Sequence, residues 1–330
     1  MSKVLVTGGF GFIGSVLTPK LLKKGYDVKI LDSSLLGFDN LDFIRDKIEV
    51  IKGDLRDLKC LKKSLEGIDY VIHLAAISND ACTDLDPELA YETNVKATEN
   101  LVNLSKSNKI KRFIYMSSSG VYGLKKEEDV TEDLILEPIT TYSKSKRDAE
   151  KIVLKANDKD FPTIVIRSAT ACGFSPRMCL DLTVNILTIQ ALTKGVITVF
   201  GGNQKRPNIH IEDITDYFIE LLEADENKIA GQIFNAGSEN KTVLEIAEII
   251  RSVIGEHVRI DVIKSEDNRS YHICSKKIKD ELGLYPKKSI KDAVEDIKNA
   301  FDSGLISDAT DPKYFKIELL KKNLKKINKP

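Results

Sequence analysis

The chain has 330 residues, enough for one large domain or two medium ones with an extensive core. Its 50 basic residues balance its 50 acidic ones, so the composition indicates neither a nucleic-acid partner nor a membrane partner. The five cysteines form no C-x-x-C pair, which predicts no metal site, no disulfide framework and a reducing, cytoplasmic location. No apolar run is long enough to span a bilayer, and we expect no signal peptide because a strand already begins at Lys3.

The first predicted element is a buried strand, residues 3–6, that runs into the sequence T-G-G-F-G-F-I-G at positions 7–14. Apolar residues at helical spacing follow it. Strand, glycine-rich turn and helix in this order are typical of a dinucleotide-binding fold. Gly8, Gly11 and Gly14 there provide a tight turn, close approach of the backbone to a pyrophosphate, and close packing of helix on strand. The N–H groups at the start of the helix would face the phosphates.

Asp32 ends the next apolar run, 28–31, and lies 18 residues after Gly14. A carboxylate in this position accepts a hydrogen bond from a ribose 2′-OH and repels a 2′-phosphate. No Arg or Lys follows closely after Asp32 to offset that repulsion. The sequence therefore predicts NAD rather than NADP as cofactor. The alternative is an α/β domain that binds no nucleotide.

Predicted strands and helices alternate through the first half of the chain. The further strands are 48–51, 70–74, 112–116 and 163–167, and the helices between them are 58–65, 88–105 and 142–155. This alternation predicts an α/β fold with a Rossmann-type, doubly wound parallel sheet. Ligands of such sheets bind at the carboxyl ends of the strands, where polar or small residues stand in this sequence.

After residue 167 the pattern changes to a smaller, interleaved and mostly helical domain. Its predicted helices are 182–193, 211–224, 243–254, 275–282 and 290–301, and its short strands are 197–200, 232–235 and 258–262. We expect residues 210–235 to return to the sheet. The predicted division is an NAD-binding domain of 1–169 plus about 208–237, and a substrate domain of 170–207 plus 238–330. The Lys-rich segment 313–329 is predicted to form a solvated amphipathic helix, with a binding tail as the alternative.

Tyr142 and Lys146 stand four residues apart at the start of the predicted helix 142–155. That spacing puts both side chains on one helix face, with Cβ atoms about 6 Å apart. A phenol titrates near ~10 in water, and an ammonium about 4 Å away stabilises the phenolate by roughly 4 kcal/mol, or about 3 pKa units. We therefore expect Lys146 to lower the pKa of Tyr142, so that the phenol serves as a general base near neutral pH.

A second Y-x-x-x-K pair, Tyr122 with Lys126, competes with this assignment. Lys126 lies in the charged loop 125–129 rather than on a helix, so the pair lacks the shared face. Ser117, Ser118 and Ser119 end the strand before the helix of Tyr142, and a hydroxyl there can hydrogen-bond the substrate oxygen that loses its proton. Tyr142 is therefore the predicted base, with an exposed helical Tyr–Lys pair of no catalytic role as the alternative.

These motifs resemble those of the extended short-chain dehydrogenases/reductases, and most closely the NAD-dependent nucleotide-sugar epimerase/dehydratase family, which includes UDP-galactose 4-epimerase. The resemblance runs almost end to end. It is carried by T-G-G-F-G-F-I-G at 7–14, Asp32, G-D-L-R-D at 53–57, H-L-A-A at 73–76, Asn94, Ser118 with Tyr122-Gly123 after it, and Tyr142 with Lys146.

The resemblance implies a role for each matching position. It makes Ser118, Tyr142 and Lys146 the catalytic residues. The implied NAD contacts are Gly8, Phe10, Gly11, Phe12, Ile13, Gly14, Asp32, Ser33, Asp54, Leu55, Leu74, Ala75, Ala76, Asn94, Ser117, Tyr142, Lys146 and Ala169. The implied contacts to a nucleotide-diphosphate sugar are Ser78, Asn79, Ser118, Thr170, Arg177, Asn185, Val199, Arg206 and Arg269.

Arginine is scarce in this chain, with 10 Arg against 40 Lys. The segment 199–206, which ends in Arg206, is similar to the family's segment whose Arg holds the substrate diphosphate, and 267–271 resembles the later segment that supplies Arg269. Bidentate contacts between guanidinium and phosphate explain the use of Arg at such positions. Structural ion pairs are the alternative for each.

Several departures from the family pattern limit the assignment. Dehydratases of the family follow the catalytic hydroxyl with an Asp-Glu pair, whereas Ser119-Gly120 stand here, so 4,6-dehydration is not expected. Thr170 stands where the family usually has Asn, and Cys172-Gly173 stand where it often has Tyr-Gly. The turn 175–177 is unlike that of the best-known epimerase. The sugar and the base are therefore left open.

The sequence thus predicts an NAD-dependent nucleotide-sugar 4-epimerase that oxidises the sugar transiently at C4. The alternatives are a one-way C4 oxidoreductase and a non-catalytic nucleotide-binding relative. A homodimer is expected as well, because the matching helices of relatives form a two-fold four-helix interface and both helices here carry apolar residues on more than one side. Those residues are Leu89, Val95, Leu101, Val102, Leu104, Ile152, Val153 and Leu154.

Overall fold

The structure is a computed structural model that describes residues 1–35, 37, 39–265 and 269–327, except for the side chains of 325–327. Its strands are β1 (Lys3–Thr7), β2 (Asp27–Asp32), β3 (Ile48–Lys52), β4 (Tyr70–His73), β5 (Arg112–Ser118), β6 (Thr163–Ser168), β7 (Thr170–Cys172), β8 (Val196–Phe200), β9 (Lys205–His210), β10 (Ile233–Ala236), β11 (Glu239–Thr242) and β12 (Arg259–Ile263).

The helices alternate with these strands in the first half and dominate the second. They are α1 (Gly14–Lys23), α2 (Leu58–Leu65), α3 (Asp80–Leu85), α4 (Pro87–Tyr91), α5 (Ala97–Ser107), α6 (Thr141–Ala156), α7 (Thr183–Lys194), α8 (Ile211–Glu223), α9 (Glu226–Ile229), α10 (Val243–Ile254), α11 (Lys276–Leu282), α12 (Ile290–Asp302) and α13 (Lys316–Ile327). Within the described part of the chain, none of them is both long and apolar enough to traverse a membrane.

The main sheet has seven parallel strands in the order β10-β6-β5-β4-β1-β2-β3. The strands run outward from β1 in both directions, which confirms the predicted doubly wound sheet. Alternate residues of β1 supply both cores: Val4 and Val6 belong to the cluster that holds α1 and α8, and Leu5 belongs to the cluster that holds α2, α5 and α6. Because both faces are covered, the strands are apolar almost throughout, as the sequence pattern predicted.

The carboxyl ends of β1 and β4 are held together from below by His73. Its buried ring shares hydrogen bonds with Thr7 Oγ1 (2.7 Å) and with Thr98 Oγ1 of α5 (2.9 Å). Burial lowers the pKa of His73 to about 3, so the ring is neutral near pH 7. The carboxyl ends of β1 and β4 are therefore held in place by a side chain that carries no net charge.

The single long helix predicted over 88–105 is wrong in detail. The structure has α4, then a π-helical turn over Glu92–Lys96, then α5. A π-turn inserts one residue into a helix and turns a side chain out of the regular helical face. Here the turn carries Asn94, whose amide reaches the loop after β4.

The second half forms a smaller unit beside the carboxyl ends of the main sheet. Helices α7, α10 and α12 share one core with the two-stranded sheet β12-β8. Ile197, Val199 and Ile246 are among the residues of this core. A three-stranded sheet, β11-β9-β7, lies between this unit and the main sheet. None of these three strands was predicted from the sequence.

Candidate functional site

A cleft opens at the carboxyl ends of the parallel strands, where such sheets bind ligands. It is lined by the glycine turn after β1, the ends of β2 and β3, the loop after β4, the end of β5 and the first turns of α6. Most of the predicted cofactor residues line it, namely Gly8, Gly11, Phe12, Ile13, Gly14, Asp32, Ser33, Asp54, Leu55, Leu74, Ala75, Ala76, Ser117, Tyr142, Lys146 and Ala169. Ser78, Asn79, Ser118 and Thr170, from the predicted substrate set, line it as well.

Two glycines of the turn have no room for a side chain, because main-chain atoms lie against them. Gly8 has φ +73°, and a Cβ there would lie 2.9 Å from the Cα of Ala75; a Cβ on Gly14 would lie 2.5 Å from the oxygen of Gly8. Gly11 is less enclosed, because the one neighbour of its Cβ position is the same oxygen, at 3.1 Å. No side chain caps the start of α1, where the Ser15 N–H donates to the main-chain oxygen of Gly11 and Gly14 lines the cleft. This geometry fits the pyrophosphate of a dinucleotide.

Asp32 lies at the end of β2 with its carboxylate held by the main chain. The Phe10 N–H donates to Oδ2 (3.1 Å) and the Ser34 N–H donates to Oδ1 (2.9 Å). Burial raises the pKa of Asp32, while these two bonds and the nearby Arg177 oppose that rise. Each oxygen keeps a lone pair for a ligand, which is the arrangement that two ribose hydroxyls require. Phe10 thus orients Asp32 with its main chain, and its own side chain is buried in the core.

The catalytic candidates converge at the ends of β5 and α6. Thr140 caps α6 in a capping box with Ser143, which fixes Tyr142 in the first helical turn. One turn later the Lys146 ammonium lies 5.9 Å from the centre of the Tyr142 ring and donates to the main-chain oxygen of Met116 (2.8 Å). Ser118 ends β5, and its side chain holds down the pKa of the neighbouring Tyr142 phenol. The predicted triad is therefore assembled in one enclosed site.

The predicted pKa effect is wrong for the protein alone. Burial raises the pKa of Tyr142 to about 12, with Asp80 adding to the rise and Ser118 opposing it. Burial also lowers the pKa of Lys146 to about 7, although Glu150 opposes this shift. Attraction between phenolate and ammonium lowers the pKa of the phenol, but the loss of hydration that both groups share on burial is the larger effect. The pKa values of Tyr142 and Lys146 thus shift in the directions that favour a neutral phenol beside a partly neutral amine.

The competing pair is not a pair in the structure. The Tyr122 hydroxyl is buried, donates to Asn235 Oδ1 (2.7 Å) and accepts from Arg167 (2.9 Å). Lys126 is exposed in the loop and is not a partner of that hydroxyl among the described residues. Tyr122 therefore belongs to a buried polar network that ties β5, β6 and β10 together.

Two asparagines predicted to touch ligands also position loops. The Asn94 amide accepts from the Ile77 N–H (2.8 Å) and donates to the Ile77 oxygen (3.0 Å) and to Ser145 Oγ (3.1 Å). The buried Asn185 accepts from Gly173 N–H (3.1 Å) and donates to the Cys179 oxygen (2.9 Å). Protein groups use most of the hydrogen-bonding capacity of these amides, so Asn94 orients the loop after β4 and Asn185 orients the turn 173–179. Their contacts to a ligand stay predictions.

The Val199 side chain is fully buried in the core of the smaller unit. Only its main chain is left to meet a ligand. The Arg177 N–H donates to Ser15 Oγ (3.3 Å), its guanidinium interacts with Asp181 and Asp32, and Nε and Nη2 are buried without a hydrogen-bond partner among the described residues. Neither residue is among those that line the cleft, and their contacts to a substrate stay predictions.

Arg206 and Arg269 do lie together, although neither is among the residues that line the cleft. Arg206 donates to the main-chain oxygen of Arg269, and Arg269 forms an ion pair with Asp80 at 2.9 Å. Asp80 begins α3 beside Asn79, whose φ of +72° is unusual for a residue other than glycine. Arg269 thereby links the smaller unit to the loop after β4. Asp267 and Asn268, which the sequence analysis grouped with Arg269, lie outside the described residues.

One wall of the cleft had no counterpart in the sequence analysis. The C-terminal helix α13, predicted as a solvated helix, instead contributes Lys316 and Leu320 to the lining. Residues 328 and 329 of the predicted segment lie outside the described residues. Helical periodicity indicated an amphipathic helix correctly, but local sequence carries no signal for the distant surface that such a helix covers.

Comparison with known proteins places this geometry in a family. The model of the "NAD dependent epimerase/dehydratase family" matches residues 4–237. The chain is similar to UDP-glucose 4-epimerase of Lactobacillus helveticus, with 30% identity over 77% of this chain and 82% of the relative. It is also similar to UDP-glucuronic acid decarboxylase 1 of Arabidopsis thaliana, with 28% identity over 93% of this chain and 71% of the relative.

Among solved structures, the chain is similar to UDP-glucuronic acid 4-epimerase from Bacillus cereus in complex with UDP-glucuronic acid and NAD. The identity is 29% and the TM-score 0.82, and the match covers 91% of this chain and 99% of the other. About a tenth of this chain therefore has no counterpart in that structure.

Proposed function

Because the chain belongs to the NAD-dependent epimerase/dehydratase family, we propose that it is a nucleotide-sugar 4-epimerase that works with NAD. The observation that supports this proposal is the assembly of Ser118, Tyr142 and Lys146 in the same cleft as the glycine turn and Asp32. The 3₁₀ turn after Ser118 carries Ser119 and Gly120, so it offers no acid pair for dehydration.

In the proposed reaction the residues of the chain manage one proton and one oxygen. Tyr142 takes the proton of the sugar 4-OH, and Ser118 hydrogen-bonds the same oxygen. Lys146 in its ammonium form stabilises the phenolate that the buried site otherwise disfavours. When bound, NAD supplies a hydride acceptor and donor for C4. Tyr142 then returns the proton after the sugar has presented its other face.

The residues also divide the cleft between cofactor and substrate. The turn 8–14 and Asp32 would hold the dinucleotide, and Arg206 and Arg269 would hold the diphosphate of the sugar nucleotide. We retain the division of the chain into an NAD-binding domain, 1–169 plus about 208–237, and a substrate domain of 170–207 plus 238–330. The partial enclosure of the site shields the oxidised sugar from water.

The proposal is tested by incubating the purified protein with UDP-, GDP-, CDP- and dTDP-sugars, without added cofactor, and following C4 epimers by NMR. We expect one sugar nucleotide to convert to its C4 epimer with no net change in cofactor. Turnover that requires stoichiometric NAD or NADH would identify the one-way oxidoreductase instead. Binding without turnover of any of these sugars would favour the non-catalytic alternative.

Asp32 is expected to make the protein prefer NAD to NADP at least tenfold. Two like charges about 4 Å apart repel by roughly 4 kcal/mol at intermediate dielectric, and solvent reduces this figure. Affinities for both dinucleotides should be measured on the apoprotein of wild type, Asp32→Ala and the exposed control Asp39→Ala. The preference should disappear only in Asp32→Ala. Equal affinities in the wild type would contradict the role of Asp32.

We also keep the homodimer as a proposal, although its sequence argument is weaker in the structure. Leu101, Val102 and Val153 are buried inside the chain between α5, α6 and the sheet, so they are not available to a partner. Tyr91 and Leu85 remain exposed nearby. Light scattering at micromolar concentration should give twice the chain mass of 36.9 kDa. A single-chain mass would exclude the dimer.

A further inference from the structure

The C-terminal segment crosses the cleft from one end to the other. At its start the Leu180 N–H donates to the Tyr314 oxygen (2.9 Å), and the Lys316 N–H donates to Asp181 Oδ2 (2.6 Å). One helical turn further Leu320 is buried and lines the cleft. At the far end Asn323 Nδ2 lies 3.5 Å from the oxygen of Leu35, beyond the end of β2. Helix α13 is thus a built wall of the site.

The same wall directs a cation to the reacting end of the cleft. The Lys316 ammonium donates to Ser78 Oγ at 2.9 Å and lines the same cleft as Tyr142 and Lys146. Its charge helps to lower the pKa of Lys146, so the two side chains are electrostatically close. In the described parts of the chain, no carboxylate oxygen lies within ion-pairing distance of this ammonium. Two of its three N–H donors are therefore available to a ligand.

Three arginines of the predicted site lie outside the lining of the cleft and have other neighbours. The Arg177 N–H donates to Ser15 Oγ, and its guanidinium interacts with Asp181 and Asp32. Arg206 and Arg269 lie together, and Arg269 pairs with Asp80. Lys316 differs from all three, because it lines the cleft, bonds Ser78 in the loop after β4 and acts on Lys146. Because this ammonium lies near the catalytic residues, we expect the group that meets it to belong to the sugar.

We propose that Lys316 is a substrate-specificity residue that binds a carboxylate on the sugar, so that the preferred substrate is a nucleotide-linked uronic acid. This inference rests on the proposed function of the site. A hydrogen bond between ammonium and carboxylate is roughly twice as strong as one between neutral groups. A partly enclosed cleft strengthens that difference, because less water screens the charges. A neutral hydroxymethyl group at the same carbon would leave the ammonium without its anion.

The test compares two substrates that differ only at C6, UDP-glucuronic acid and UDP-glucose, with the same pair on another base if the substrate screen selects one. We expect wild type to favour the acid in kcat/KM by about tenfold or more, since a charged hydrogen bond contributes about 1.5–3 kcal/mol. Lys316→Gln keeps a donor for Ser78 and removes the charge. The ratio of kcat/KM between the acid and the neutral sugar should fall about 10- to 100-fold, whereas an effect through the pKa of Lys146 would act on both substrates and leave that ratio unchanged.

Lys321→Gln is the matched control, because Lys321 lies on the same helix, is exposed and pairs only with Glu318 among the described residues. It should leave both substrates unaffected. NAD affinity is measured in parallel, and Lys316→Gln should bind NAD as wild type does. If NAD affinity falls while the ratio between the two sugars is unchanged, the ammonium serves a cofactor phosphate and the inference is wrong.

Two further outcomes separate this inference from the proposed function. A wild type that epimerises neutral sugars with equal or better kcat/KM than the acid would overturn the role of Lys316 and leave the epimerase proposal intact. A wild type that turns over no nucleotide sugar would overturn the proposed function first. In that case calorimetry on wild type and Lys316→Gln compares the affinities for UDP-glucuronic acid and UDP-glucose. This comparison still decides whether Lys316 selects a carboxylate.

Discussion

Tyr142→Phe is expected to lower turnover about 10³-fold, within the range of about 10²–10⁴ that a positioned general base contributes. Phenylalanine keeps the ring in the first turn of α6 and removes only the oxygen that takes the proton. Ser118 and Lys146 keep their supports, because Ser118 accepts from the Gly120 N–H and Lys146 donates to the Met116 oxygen. The initial rate of C4 epimerisation by NMR measures the effect.

Tyr122→Phe is the matched control for this prediction. It deletes a phenol of the same type from the network of Arg167 and Asn235, outside the cleft lining. It should cost about 1–3 kcal/mol in the free energy of unfolding, because two buried partners lose a hydrogen bond. Turnover per folded molecule should change little. Near-normal turnover in Tyr142→Phe, with cofactor content and circular dichroism unchanged, would show that another group is the base.

Arg167→Met is expected to destabilise the fold by about 3–5 kcal/mol, because it leaves a buried carboxylate without its cation. Arg167 and Glu150 are 3% and 1% exposed, and the guanidinium meets both carboxylate oxygens at 3.0–3.2 Å. Ser117 also donates to Glu150. Urea unfolding with saturating NAD in every sample measures the loss and keeps the contribution of the ligand equal.

Replacing both partners should restore most of the stability lost in Arg167→Met. In Arg167→Met with Glu150→Leu neither charge of this pair is left buried, and the coupling between the two sites should exceed about 2 kcal/mol. The double variant should still lose activity, because Glu150 opposes the burial that lowers the pKa of Lys146. If the losses in the free energy of unfolding of the two single variants simply add in the double variant, the two side chains do not act as a pair.

The part of the site that follows a single local motif was predictable from the sequence. Gly8, Gly11 and Gly14 were recognised because a strand precedes them and a helix follows, and Asp32 because it ends the next strand. Tyr142 was separated from Tyr122 by asking which of them a helix carries. In each case the chemistry depends on neighbours within a few residues, or on the shared edge at which parallel strands end.

The rest depends on contacts between distant parts of the chain. Lys316 donates a hydrogen bond to Ser78, which lies far from it in the sequence. The burial that shifts the pKa values of Tyr142 and Lys146 comes from elements that local periodicity does not bring together. The match to a family motif predicts Asn94 as a ligand contact, whereas its three hydrogen bonds to the protein depend on the π-turn that carries it. Local sequence fixes elements, and tertiary packing fixes the protonation of the groups they carry.

The edge strand β10 ties the timing of folding to the smaller unit. Its four residues pair with β6, yet they are synthesised only after α7, α8 and the strands between them. Until they emerge from the ribosome, one edge of β6 has no partner, and Asn235 is absent from the hydroxyl of Tyr122. An open strand edge is a site for pairing with other chains. The nascent N-terminal half is therefore the aggregation-prone stage of this protein's synthesis, and its sheet closes only when residue 236 has been made.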